Sequence, residues 1–210
     1  MTIADSIKLR IDIFNAPDQH AEVAQTVTPV ELIAAIIAEF GYEQQPYLSS
    51  DPAAYQLCDT AGNALADDRA IGARASRLTL AFRTPSVPPE ATALDRPLLL
   101  REEKSGIISV VAWTPALIGR ATPQPNSLLA VDLRNHPKGM KVSRQHARIV
   151  QIDGKLQIEG IAEPNRTILR TSASVITLGA GTRHPLGADD VIEIVNTEIM
   201  LTVLPAIKEG

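Results

Sequence analysis

The first part of the chain alternates apolar and polar positions as a half-buried strand requires. In residues 7–14, isoleucine and leucine occupy every second position and charged residues stand between them. One face of such a strand is buried and the other is hydrated. Short apolar runs at residues 21–27, 54–59 and 77–83 predict three more strands.

A change of period after the second predicted strand indicates a helix over residues 28–41. Thr28 and Glu31 have the spacing of a capping box, and Pro29 suits the first helical turn. Gly41 suits the C-terminal cap. The residues predicted to face the sheet are Val30, Ile33, Ala34, Ile37 and Phe40.

From residue 98 onward nearly every signal is that of a strand. Apolar runs bounded by Gly, Pro, Asp or Asn occur at residues 98–103, 106–113, 146–152, 155–159, 191–195 and 198–204. Asp153 and Gly154 separate two of these runs and predict a tight hairpin turn. The second half is therefore expected to be a β-sandwich.

The two halves are separated by a proline-rich segment. Residues 84–97 contain four prolines and have no apolar period, which predicts an extended linker between domains 1–83 and 98–210. Formal charge changes across it, since the first half carries a net charge of −5 and the second +2. The halves are therefore expected to be different folds.

The first half resembles a ubiquitin-like domain. Two strands, a capped helix and further strands over residues 7–83 follow the order of the β-grasp fold. Conjugating members of that family end in a free di-glycine tail, whereas this half ends in TLAFRT and continues into the linker. The resemblance therefore implies a docking module for a second protein.

Three polar clusters stand at strand ends in the second half. They are ALIGR with Gly119 and Arg120, KVSRQHA with Ser143, Arg144 and His146, and EPNRT with Asn165, Arg166 and Thr167. With LGADDVIEI at residues 186–194, their order resembles a forkhead-associated (FHA) domain over residues 98–204. The two resemblances together imply a mainly β protein. An N-terminal β-grasp domain of the α+β class would be followed by an FHA-type β-sandwich. FHA loops gather at one end of the sandwich and bind phosphothreonine peptides.

The residue types suit that ligand. Phosphothreonine brings a charge of about −1.5 to −2 and three acceptor oxygens, and residues 120–170 carry nine Lys and Arg against four Asp and Glu. By the resemblance, Arg120 holds the phosphate through its planar guanidinium. Ser143 donates its hydroxyl, Arg144 adds a second cation and Asn165 binds the peptide backbone.

Other residues of the clusters are expected to support the site or to contact its rim. Gly119, His146 and Thr167 are predicted to be structural, and the resemblance implies that His146 ties loops together. Lys141 and Arg166 are predicted to make peripheral contacts.

Two positions depart from the family pattern. Pro164 stands where Ser or Thr is common, which removes one hydroxyl donor, and Arg166 stands where Gly is usual. An alternative therefore stays open, namely a phospho-independent structural or assembly adaptor with a degenerate phosphate pocket.

Composition and motifs disfavour other functional classes. Ser143 and His146 would point to opposite faces of a strand and no nucleophile elbow is present, so no enzyme is predicted. Four scattered histidines and one cysteine predict neither a metal site nor a cofactor. An aromatic content of 3% argues against nucleic-acid binding.

The expected function is that of a non-catalytic signalling adaptor in the cytoplasm. The sequence shows neither a signal segment at its start nor an apolar run of about 20 residues, so membrane insertion is not predicted. The expected partners are a phosphothreonine-containing protein, either a Ser/Thr kinase or its substrate, and a second protein at the ubiquitin-like domain.

Overall fold

The chain folds into two compact units that divide between Arg83 and Thr84. The computed structural model describes residues 6–72, 76–124, 126–163 and 166–207. Within this described part, no helix combines the length and apolar character that crossing a membrane requires.

The first unit is a four-stranded sheet covered by one helix. Its elements are β1 (Ser6–Ile13), β2 (Ala16–Ala24), α1 (Pro29–Gln44), β3 (Tyr55–Cys58) and β4 (Arg77–Phe82). The sheet order is β2-β1-β4-β3, with β1 and β4 parallel at the centre and the outer pairs antiparallel. The alternating residues of β1 pack with α1 in one buried cluster, which confirms the predicted strand and its buried face.

The helix begins as predicted, and part of the predicted face is buried. Thr28 and Glu31 form the capping box, in which the Glu31 carboxylate accepts from the Thr28 main-chain N–H at 2.9 Å. Of the predicted face, Ile33 is buried and Ile37 and Phe40 pack against the core, whereas Val30 and Ala34 are exposed. Leu32 and Ile36 are buried in addition. Apolar residues surround most of this helix, so more than one face fits the same period, and packing against the sheet buries the larger side chains.

The end of the helix also differs from the prediction. The helix extends to Gln44, but Gly41 within it has φ +60° and a non-helical conformation. An L-residue rarely adopts this backbone, so glycine interrupts regular helical geometry where the cap was predicted.

The second unit is a β-sandwich of two sheets. Its strands are β5 (Thr92–Glu102), β6 (Ile108–Thr114), β7 (Ala116–Gly119), β8 (Leu129–Asp132), β9 (Ala147–Ile152), β10 (Lys155–Gly160), β11 (Thr167–Arg170), β12 (Val175–Leu178), β13 (Arg183–Pro185), β14 (Val191–Ile194) and β15 (Ile199–Val203). One sheet has the order β13-β10-β9-β7-β8 and the other β12-β11-β14-β15-β5-β6. Side chains of both sheets share one buried core.

The predicted linker is shorter than its proline content suggested. Thr92 and Ala93 already pair with Thr114 and Trp113 at the start of β5, and the register shifts before Leu98. Pro97 has no main-chain N–H group to donate to a neighbouring strand. A strand tolerates the missing hydrogen bond where its register is irregular. Residues 92–97, assigned to the linker from sequence, are therefore part of the sandwich.

Candidate functional site

Three chain segments meet where β7 ends. The His146 N–H donates to the Ile118 carbonyl at 2.9 Å, and the Arg120 N–H donates to the Ser143 carbonyl at 3.1 Å. Antiparallel pairing of β7 with β9 brings the start of β9 to this end of the sheet. The first two polar clusters of the sequence are therefore adjacent, although more than 20 residues separate them along the chain.

Gly119 permits this close approach. A Cβ added at Gly119 would collide with the Arg144 carbonyl oxygen and would lie 2.9 Å from that of Ser143. Both obstacles are main-chain atoms, so no side-chain rotation could relieve the clash. Any residue larger than glycine must move the segment that carries Ser143 and Arg144.

Asp132 fixes the neighbouring loop. Its Oδ1 atom accepts hydrogen bonds from the main-chain N–H groups of Ala121 and Arg134, both at 2.9 Å. The carboxylate therefore joins the segment after β7 to the segment after β8. Asp132 was not predicted from sequence. An aspartate directly after the apolar run LLAV is, however, typical of a side chain that forms a turn.

Arg120 and Arg144 line a single open pocket of about 360 Å³. Arg120 is half-buried, and its Nε donates to the Val142 carbonyl at 3.3 Å, while Arg144 is exposed. In the described part of the chain, neither arginine pairs with a carboxylate. Both cations thus remain available to an anion in the pocket.

Among the described residues, the rest of the pocket wall is uncharged. Polar amides and hydroxyls predominate, and the residues are Ala121, Thr122, Gln124, Asn126, Ser127, Leu129 and Gln145. The lining residues between β7 and β8 were not predicted because that segment has neither a motif nor a period. The predicted Ser143 is not among the described lining residues; it is half-buried, and its main-chain carbonyl accepts from the Arg120 N–H at 3.1 Å.

His146 lies in the interior below the pocket. Its side chain is fully buried, and its main-chain carbonyl accepts from the N–H groups of Ile161 and Ala162, both at 3.1 Å. With the bond to Ile118, the main chain of His146 joins β7 to the segment that precedes β11. Among the described residues, the ring nitrogens make no hydrogen bond of regular geometry, although the Arg166 main chain is close enough to interact with the ring.

Burial determines the protonation state of His146. Desolvation lowers the pKa of the ring, and the main chain of Arg166 opposes part of that shift. Because the folded-state pKa lies below the unfolded value, the neutral ring is favoured and His146 lowers the stability of the fold as pH falls below about 6.5. We expect NMR titration of the His146 ring nitrogens to give a midpoint below 6.5. A midpoint above that value would contradict the burial of the ring.

The third polar cluster is described only in part. Asn165, which is predicted to bind the peptide backbone, lies outside the described residues together with Pro164. Thr167 is buried at the start of β11, where it pairs with Leu178 and Ile194.

The predicted peripheral residues are both at the surface. The Arg166 side chain is exposed, and the residue's main-chain carbonyl accepts from the Val195 N–H at 3.2 Å. Lys141 is exposed at the end of a short 3-10 helix, Gly139–Lys141.

Another pocket, of about 500 Å³, lies in the first unit beside Asp12, Cys58, Asp59 and Arg77. Arg77 donates two hydrogen bonds to Asp12, at 2.9 and 3.0 Å, and these bonds lower the pKa of that carboxyl. Asp59 accepts from the main chain of its own turn. The charged groups of this pocket are thus used by the protein itself.

The described residues contain no group of three His, Cys, Asp or Glu side chains arranged to hold a metal ion. Two guanidinium groups and nearby neutral donors give this pocket the groups that could hold an anion.

No protein-family model matches the chain, and no curated protein sequence matches it. Solved structures similar to part of it include the FHA domain of human APLF in complex with an XRCC1 bisphospho peptide, at 22% identity and a TM-score of 0.38, covering 52% of this chain and 98% of that one. The Mycobacterium tuberculosis EmbR structure, in complex with a low-affinity phosphopeptide, is 18% identical with a TM-score of 0.41, covering 55% of this chain and 26% of that one. The FHA domain of an Arabidopsis thaliana hypothetical protein is 20% identical with a TM-score of 0.39, covering 61% and 99%. At these identities and TM-scores the similarities carry no functional assignment, which depends instead on the pocket itself.

Proposed function

We propose that this protein is a non-catalytic signalling adaptor whose second unit is an FHA-type domain that binds phosphothreonine-containing protein segments. The observation that carries this proposal is the pocket shared by Arg120 and Arg144, two cations without a carboxylate partner in the described part of the chain. Arginines left unpaired at the end of a rigid sandwich suit a doubly charged phosphate ester.

Each predicted residue has a role in the proposed site. Arg120 binds the phosphate through its guanidinium, whose position is supported by the hydrogen bond to Val142. Ser143 donates its hydroxyl and Arg144 contributes a second charge-assisted contact. Asn165 binds the peptide backbone next to the phosphothreonine.

Around these residues, the proposed support is provided by Gly119, His146 and Thr167. Gly119 allows the close approach of the Ser143 segment, and the main chain of His146 holds three segments together. Lys141 and Arg166 are proposed to lie at the rim, where their charges would attract an acidic ligand.

The first unit is proposed to be a ubiquitin-like β-grasp domain that docks a second protein. This proposal is supported by the β1–β2 hairpin, the helix that follows it and the parallel pairing of β4 with β1. The domain boundary is proposed near Thr84, with a connection shorter than residues 84–97.

A comparison of matched peptides tests the function. We expect the full chain to bind a phosphothreonine peptide in calorimetry and to bind the same peptide without phosphate at least about a hundred-fold more weakly, because two charge-assisted contacts are lost. A phosphoserine version controls for charge alone. Equal affinity for phosphorylated and unphosphorylated peptides would favour the phospho-independent adaptor instead.

A further inference from the structure

Glu90 places a negative charge beside the pocket that contains Arg120 and Arg144. Ser127, which lines that pocket, donates a hydrogen bond from its Oγ to the Glu90 carboxylate. This bond lowers the pKa of Glu90, so the group is ionised at neutral pH. The charged residues that line the pocket are both arginines, and Glu90 therefore adds a charge of opposite sign at one wall.

The segment that carries Glu90 is anchored to the sandwich. Pro88 is buried, and the Ala91 N–H donates to the Pro88 carbonyl at 3.0 Å, which closes a turn around Glu90. Ala91 packs against the core, and Thr92 begins β5. Glu90 is thus held on both sides by residues that belong to the second unit.

The charge around the pocket is therefore uneven. The loop that leads to Ser143 carries the exposed cations Arg134 and Lys138. The wall formed by Gln124, Asn126 and Ser127 carries no charge of its own and borders Glu90. A ligand that contacts this wall therefore meets the Glu90 carboxylate, whereas the Asp132 carboxylate of the neighbouring loop already accepts from the main-chain N–H groups of Ala121 and Arg134.

We propose that Glu90 is a specificity-determining residue, which disfavours acidic side chains and favours basic ones at the ligand position that lies against Ser127. This inference rests on the proposed phosphothreonine-binding function and names the class of segment that the site selects. Glu90 is exposed, so its effect on affinity is that of a solvated charge, about two- to five-fold per charge at low salt.

The test uses a set of phosphothreonine peptides and the full chain. Each position on either side of the phosphothreonine is occupied in turn by Glu, Gln or Lys, and affinities are measured at low ionic strength. We expect one position at which Lys binds about two- to five-fold more tightly than Gln, and Gln about two- to five-fold more tightly than Glu. In Glu90→Gln this preference should disappear, and in Glu90→Lys it should reverse, while preferences elsewhere stay as in the wild type.

Asp153→Asn is the matched control. It removes one carboxylate from the β9–β10 turn, where Asp153 has φ +50° and precedes Gly154, and an Asn-Gly pair suits that turn equally well. The turn lies at the far end of β9, about 16 Å along the strand from Ala147. The peptide preferences of this variant should match those of the wild type.

Two results would overturn the inference in distinguishable ways. A folded Glu90→Lys protein that still requires the phosphate but keeps the wild-type preferences would refute the role of Glu90 and leave the proposed function intact. Wild-type protein that binds none of the phosphothreonine peptides would refute both together.

Discussion

Replacing Arg120 with alanine is expected to weaken the binding of a phosphothreonine peptide by about a hundred-fold or more and to leave the fold unchanged. The guanidinium can form two parallel charge-assisted hydrogen bonds to a phosphate, and each is worth about 1.5–3 kcal/mol. The side chain is half-buried and its Nε makes one long hydrogen bond to the Val142 carbonyl. Its loss should therefore cost the fold little.

The experiment is calorimetry with the full chain, combined with thermal unfolding followed by the fluorescence of Trp113. The chain contains one tryptophan, and it is buried in the core of the second unit, so this signal reports the unit that contains the site. Arg120→Lys should bind with intermediate affinity because it keeps the charge and loses the planar geometry. Lys155→Ala removes an exposed cation from the β9–β10 hairpin and should bind as the wild type does.

A folded Arg120→Ala protein with wild-type affinity for the phosphorylated peptide would exclude Arg120 from the site and would refute the proposed pocket.

Gly119→Ala is expected to damage both the fold and the site. The added methyl group would overlap the carbonyl groups of Ser143 and Arg144, and the β7 backbone cannot retreat because Ile118 is fully buried. Overpacking of this kind costs about 3 kcal/mol or more when the obstacle is main chain. The Trp113 unfolding midpoint should fall by about 10 °C, and phosphopeptide affinity should fall with it, because the clash displaces two of the proposed phosphate contacts.

Gly187→Ala provides the matched control for this substitution. Its new Cβ would lie 3.7 Å from the Asp190 carboxylate, an ordinary van der Waals contact. Its unfolding midpoint should therefore stay close to that of the wild type. If Gly119→Ala unfolds at the wild-type temperature and binds normally, the close approach at β7 is not required for the site.

Local features of the structure follow from neighbouring residues and were predictable from sequence. The buried alternation of β1, the capping box at Thr28 and the turn at Asp153 and Gly154 were predicted and are confirmed. Each depends on side chains a few residues apart, so the pattern itself contains the required information. The three polar clusters were also visible, because their order along the chain resembles that of an FHA domain.

Short strands and sheet partners were not predictable in the same way. Strands β7, β8, β11, β12 and β13 have only three or four residues, which gives little period-two signal. The equally short β3 and β14 were predicted because each lies in an apolar run bounded by turn residues. Their positions depend on pairing with strands distant in sequence. The proline-rich segment was misassigned for the same reason, since the pairing of Thr92 with Thr114 is a tertiary contact.

By itself, the sequence determined which segments become the longer strands and the helix, and which polar residues are candidates for binding a phosphate. Only the tertiary structure decided that Arg120 and Arg144 share one pocket, that Asp132 joins two of its loops and that Glu90 borders its wall. The physical reason is distance along the chain. Local pattern follows from the geometry of a strand or helix, whereas charges more than 20 residues apart meet only when strand pairing and core packing bring their backbones together.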